Sequence, residues 1–152
     1  MPARSSVEGT FGFGMPRSAT AALRVWTTLR DGDGSVTTGT GRALSFYCTG
    51  PNDGVGTGWS AIKSFFASAT TIVYDWDWTT VDGIAYDWPF AITSATEPFS
   101  YSFPPKLASA NTQSATNVSI TVPAGQWVSF GVFSSDSCCG RGWCTFSGLP
   151  ST

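Results

Sequence analysis

The chain has 152 residues, enough for one domain with a sizeable core, and its 41% hydrophobic, 14% aromatic and 12% charged content is that of a globular protein rather than a disordered one. Its net charge of -2, with no basic run, leaves no electrostatic footprint for nucleic acid, and no apolar stretch reaches the length of a helical membrane span. It has no histidine, which excludes Ser-His-Asp and Cys-His catalysis and removes the commonest zinc ligand.

Residues 1–20 combine Gly, Ser and Pro with Phe11 and Phe13. They are expected to form an extended arm, and the two rings would suit docking on a neighbouring subunit. MPARSSVEGTFGFG lacks the apolar core of a secretory signal, so use without Sec export is the expectation.

From residue 21 to 152 the pattern is that of β-structure. AALRVWTTL (21–29) alternates, RDGDGS (30–35) is turn chemistry, and RALSFYC (42–48) alternates again. TGPNDGVGTG (49–58) reads as a loop and WSAIKSFFA (59–67) as a strand. TTIVYDWDWTT (70–80) is the clearest element, with Ile72, Tyr74, Trp76 and Trp78 on one face and Val73, Asp75 and Asp77 on the other. VDGIAYDWP (81–89) is expected to turn. FAIT (90–93) and FSYSF (99–103) are expected as short strands, and the second stops at Pro104 and Pro105. ASANTQS reads as a loop. ATNVSITV (115–122) and QWVSFGVFSS (126–135) are expected to form a hairpin around PAG, and WCTFSGL (143–149) closes the chain. About eight short strands separated by turns imply an all-β antiparallel sandwich or jelly roll.

Four cysteines allow three pairings. Adjacent residues meet disulfide geometry poorly, which argues against Cys138–Cys139. There remain four reduced thiols, or a bond from one of those neighbours to Cys144 with the other reaching Cys48. A zinc site would need four converging thiolates, which the vicinal pair disfavours.

Five aspartates stand in or beside the strands: Asp75, Asp77, Asp82, Asp87 and Asp136. Of these, Asp75, Asp77, Asp82 and Asp87 are the calcium candidates, because calcium takes six to eight hard oxygen ligands. The bland alternative is that they solvate an outer face. RDGDGS lacks the distal Glu of an EF-hand. Asp75 and Asp77, about 6.5 to 7 Å apart along a strand, also fit glycosidase carboxylate spacing, but so do most acids two apart on strands. Among the seven tryptophans, Trp59, Trp88 and Trp143 lie in or beside loops and are the candidates for stacking on sugars, whereas Trp76, Trp78 and Trp127 are expected in the core.

The ordered series DGS (33–35), TGPNDGVGTG, YDWDWTTVDG (74–83), DWPF (87–90), Gln113-Ser114, ITVPAGQWVSFGVFSSDS (120–137) and TFSGL resembles a β-sandwich module of bacterial exported proteins of the PEP-CTERM sorting type, also met in virion-associated surface proteins. The resemblance implies a sandwich and no established reaction. The sequence shows neither the signal nor the basic-flanked anchor of that sorting type, and CCGRGWC replaces a turn that is usually free of cysteine. Together these readings lead us to expect a non-enzymatic structural protein of a virion, a phage decoration (cement) or tail-associated protein. It would be homo-oligomeric and in contact with other virion or surface proteins. The alternative is a secreted or cell-surface carbohydrate-binding module that takes glycans.

Overall fold

The computed structural model describes residues 24–39, 44–97 and 103–152, and these are all-β, with nine strands in two antiparallel sheets packed as a sandwich. The strands are β1 (Thr27–Asp31), β2 (Ser35–Thr38), β3 (Leu44–Thr49), β4 (Gly58–Phe66), β5 (Thr70–Thr80), β6 (Asp87–Ser94), β7 (Thr112–Val122), β8 (Gln126–Ser134) and β9 (Gly142–Leu149). One sheet has the order β1-β4-β8-β6 and the other β2-β3-β9-β5-β7. The proposed arm, with Phe11 and Phe13, lies outside the described residues, as does all of FSYSF except Phe103.

Every connection except β2–β3 carries the chain from one sheet to the other. This overturns the expected hairpin at PAG. β7 pairs with β5 and β8 pairs with β4 and β6, so Pro123–Gly125 is a corner between the sheets. Gly125 takes φ 74° there and donates its N–H to the Phe66 carbonyl at 2.8 Å. Four other boundaries also differ. β1 begins at Thr27 and runs on to Asp31 inside the expected turn, while residues 24–26 of the expected 21–29 strand are not in the sheet. SVTT, short and mostly exposed, pairs with β3 as an edge strand. β6 begins at Asp87 inside the expected turn, and β7 begins at Thr112 inside the expected loop. Pro89 is tolerated within β6 because β6 is an edge strand.

Period-two alternation fills the space between the sheets. β5 buries Ile72, Tyr74, Trp76 and Trp78, as its pattern predicts, and these meet Phe46, Val128, Phe130, Val132 and Phe146. Tyr74 and Phe130 pack edge to face with ring centroids 4.9 Å apart. Gly142 faces Trp78 so closely that a Cβ would stand 2.2 Å from the indole ring, so only glycine fits. Trp26 closes one end of the core. It packs on Phe46, Phe66 and Phe130 and donates its indole N–H to the Pro150 carbonyl at 2.9 Å.

A second, smaller core lies on the outer face of the four-stranded sheet. Ala61, Trp88, Phe90 and Phe133 are buried there. The chain after β6 covers them: Phe103 stacks on Trp88 at 6.1 Å, and the Trp88 indole donates to the Pro104 carbonyl at 2.8 Å. Leu107 N–H then bonds the Pro89 carbonyl at 2.9 Å, so the strap rounds the β6 edge and hides part of it. Lys63, on the same face, pairs with Glu97 at the start of the strap.

Candidate functional site

Three places collect the residues that the sequence singles out. The first is the end of the sandwich where the β5–β6 turn meets the β8–β9 loop. Gly83, at φ 145°, lets the turn double back so that its carbonyl accepts the N–H groups of Tyr86 and Asp87, each at 2.9 Å. This sets Asp87 as the first residue of β6, opposite Ser134, with its side chain fully buried between the sheets. Asp136 follows β8 by two residues and Asp82 follows β5 by two. One carboxylate oxygen each from Asp82, Asp87 and Asp136 lies within 4.8 Å of the others.

The hydrogen bonds around this cluster are incomplete. Thr80 Oγ1 donates to Asp87 Oδ2 at 3.1 Å and accepts the N–H groups of Asp82 and Gly83. Asp136 Oδ1 accepts the Cys138 N–H at 3.2 Å and the Ser134 hydroxyl at 3.5 Å. Asp87 Oδ1 and Asp82 Oδ2 are buried with no hydrogen-bond partner. Burial raises the Asp87 carboxyl to about 6; the hydroxyls of Ser134 and Thr80 oppose the shift, and the charges of Asp82 and Asp136 add to it. Burial, then the charge on Asp136, also raises Asp82. The ion pairs among the described residues, Lys63–Glu97 and Arg141–Asp33, lie elsewhere.

Asp75 and Asp77 do not join this cluster. They share the outer face of β5, as predicted, on the far side of the five-stranded sheet from the core. Asp75 Oδ1 accepts the N–H of Asn117 at 2.9 Å, where β7 bulges against β5 and Asn117 takes φ 55°. Its role is to satisfy a backbone group that the bulge frees. The four-aspartate set is therefore split, and Asp136 takes the place of the strand pair. The signal for Asp136 was its position just past a strand end, the position Asp82 also holds; nothing local said that the two strand ends would meet.

The second place is the outer face of the five-stranded sheet. Cross-strand register aligns Tyr47, Thr145, Asp77 and Ser114 in one row and Thr49, Trp143, Thr79 and Thr112 in the next. Trp143 is half-buried and Tyr47 is 40% exposed, so two rings, a carboxylate and several hydroxyls share one flat surface.

The third is the outer face of the four-stranded sheet. Trp88 is buried under the strap, which removes it as a sugar platform. Trp59 is half-buried beside it and packs against the small core. Trp127 was expected in the main core, but it occupies an outward position of β8 and packs edge to face on Phe65 at 5.4 Å. The alternation of β8 reaches inward through Val128, Phe130 and Val132, which puts Trp127 and Phe133 outside. Phe65 is 44% exposed and Val25, beside it, 75%.

The cysteines depart from both expected schemes. Cys138 and Cys139 are bonded to each other in the β8–β9 loop, while Cys48 and Cys144 are free. The β3–β9 register sets Cys48 opposite Cys144 with both side chains in the core, out of reach of the loop. Burial pushes the Cys48 thiol up to about 12, and burial and the adjacent Cys48 raise Cys144 well above its ordinary value, so both stay protonated.

Among the described residues no helix is long and apolar enough to cross a membrane. Compared with known proteins, the chain matches no family model, no curated protein and no solved structure.

Proposed function

We propose that the chain is a non-enzymatic contact module of a viral or extracellular assembly, of the kind that decorates a phage capsid or tail. The observation that carries this reading is the uncovered apolar strip on the outer face of the four-stranded sheet. There Phe65, Trp127 and Val25 lie side by side, set off from the small core by Lys63, whose ammonium sits 4.9 Å over the Trp127 ring, and by Ser129. An exposed apolar strip rimmed by polar side chains is a usual form of a subunit contact. Arg24, where the described fold begins, lines the same strip. The occupant we assign to it is a second copy of this chain. The low charge and the absence of histidine support a role without a reaction centre, as do the two protonated core thiols.

Sedimentation of the whole chain tests this reading. Association at micromolar concentration is expected, and Phe65→Lys should give monomers with unchanged circular dichroism. A wild-type chain that stays monomeric, or a Phe65→Lys variant that associates as well as the parent, overturns it.

A second reading, glycan binding, is favoured by one observation: Trp143 and Tyr47 are diagonal neighbours, with Asp77 in the adjoining row of hydroxyls. A glycan array separates the two. Binding that Trp143→Ala abolishes and Trp59→Ala spares would favour this face over the apolar strip.

A further inference from the structure

We propose that Asp82, Asp87 and Asp136 form a calcium site that ties the β5–β6 turn to the β8–β9 loop. Three separate observations lead to it. The donors are all carboxylate oxygens, the set that hard divalent cations select, and the two cysteines of the loop, the soft ligands nearby, are tied up in a disulfide. The spacing fits: oxygens on opposite sides of one calcium ion stand about 4.8 Å apart, twice a bond of about 2.4 Å, and the three oxygens here lie within that limit.

The third observation is burial without a partner. Asp87 is 0% exposed, faces the other two carboxylates, and its Oδ1 has no donor; Asp82 Oδ2 is buried in the same condition. Buried polar atoms are normally hydrogen-bonded, and a buried anion normally has a counter-charge. No ion pair among the described residues supplies one: Lys106 gives its ammonium to the Ile84 carbonyl at 2.9 Å, and Arg141, in the β8–β9 loop itself, is engaged by Asp33. A divalent cation meets both needs at once.

Calcium suits the place better than magnesium. It accepts an irregular shell of six to eight oxygens, which two loops and a strand end can complete with water, whereas magnesium demands an octahedron. The ion would bridge two connections that each cross between the sheets, so its effect is to clamp one end of the sandwich. This inference does not depend on the contact role proposed above, because its readout is ion binding by the isolated chain.

The test is calorimetric titration of the chelator-treated full chain with calcium chloride, and separately magnesium chloride, alongside thermal melts. One calcium per chain is expected, with Tm raised by about 5 to 10 °C at a concentration about a hundred times Kd. Asp136→Asn should abolish both the heat and the shift while melting no lower than the calcium-free parent, since it relieves repulsion. Asp75→Asn should bind as the parent does. Absence of heat and of any melting shift at millimolar calcium overturns the proposal, as does a calcium response that survives Asp136→Asn.

Discussion

The two outer faces of this sandwich are built by the same alternation and come out opposite. On the five-stranded sheet the outward residues are mostly Thr, Ser and Asp, with Tyr47, Trp143 and an exposed Val73 among them, and the face meets water. On the four-stranded sheet the outward positions of β4, β6 and β8 include Ala61, Trp88, Phe90 and Phe133, and a strap closes over them. An antiparallel sheet can leave one face wet, but a face apolar on both sides must find a cover. The strap covers only part of it, and the stretch around Phe65 and Trp127, beyond Lys63, is the strip proposed for subunit contact.

The difference can be broken most sharply at Phe133. It is buried outside the main core, between Trp88 at 4.8 Å and Phe103 at 5.7 Å. Phe133→Ala should destabilise the fold by about 3 to 5 kcal/mol, the cost of emptying a true core, whereas Thr145→Ala on the opposite outer face should stay within about 0.5 kcal/mol. Urea denaturation of both variants checks this, and equal costs would erase the distinction between the faces.

A smaller effect is expected from the strap itself. Phe103 is 67% exposed yet stacks on Trp88 and packs at a tilt on Phe133. Phe103→Ala should cost about 1 kcal/mol and speed amide exchange in β6 more than in β7, since only β6 lies under the strap. Exchange rates that rise equally in both sheets would mean that the strap does not act as a local cover.

The smallest effect belongs to the connections, which serve neither face. Arg141 joins the β8–β9 loop to the β1–β2 turn, bonding Asp33 Oδ2 at 2.7 Å and the Gly50 carbonyl at 2.8 Å. Its guanidinium holds the Asp33 carboxyl below the usual range, helped by the Asn52 N–H. A carboxyl lowered in the folded state adds stability that is complete above its unfolded pKa of roughly 4 and fades as pH falls through the folded value. Melting curves from pH 7 to pH 2 should therefore show a slightly shallower acid loss in Asp33→Asn than in the parent. Identical profiles would show that this exposed pair does not couple to folding.

Much of this was readable before the fold. β5 announces its two faces through Ile72, Tyr74, Trp76 and Trp78, because a long period-two run permits only one burial scheme. The all-β class followed from many such runs with turn residues between them. Short or interrupted runs were less clear. SVTT gains strand form only by pairing with β3, and Pro89 hides the start of β6 until its edge position is known. Trp127 was expected in the main core and stands outside it, and Trp88 was expected to be accessible but is covered by the strap. Alternation says which residues share a face, but it does not say which face another segment will cover.

What the amino-acid order determined by itself is local: which positions alternate, where the chain turns, and that no histidine-based chemistry is available. Tertiary structure alone decided which strand ends meet. It brought Asp136 to Asp82 and Asp87, set Cys48 against Cys144, and made PAG a corner between the sheets. The physical reason is range. Side-chain period and turn propensity act over a few residues, whereas these contacts join segments about fifty to a hundred residues apart, through the burial of both sheets against one core.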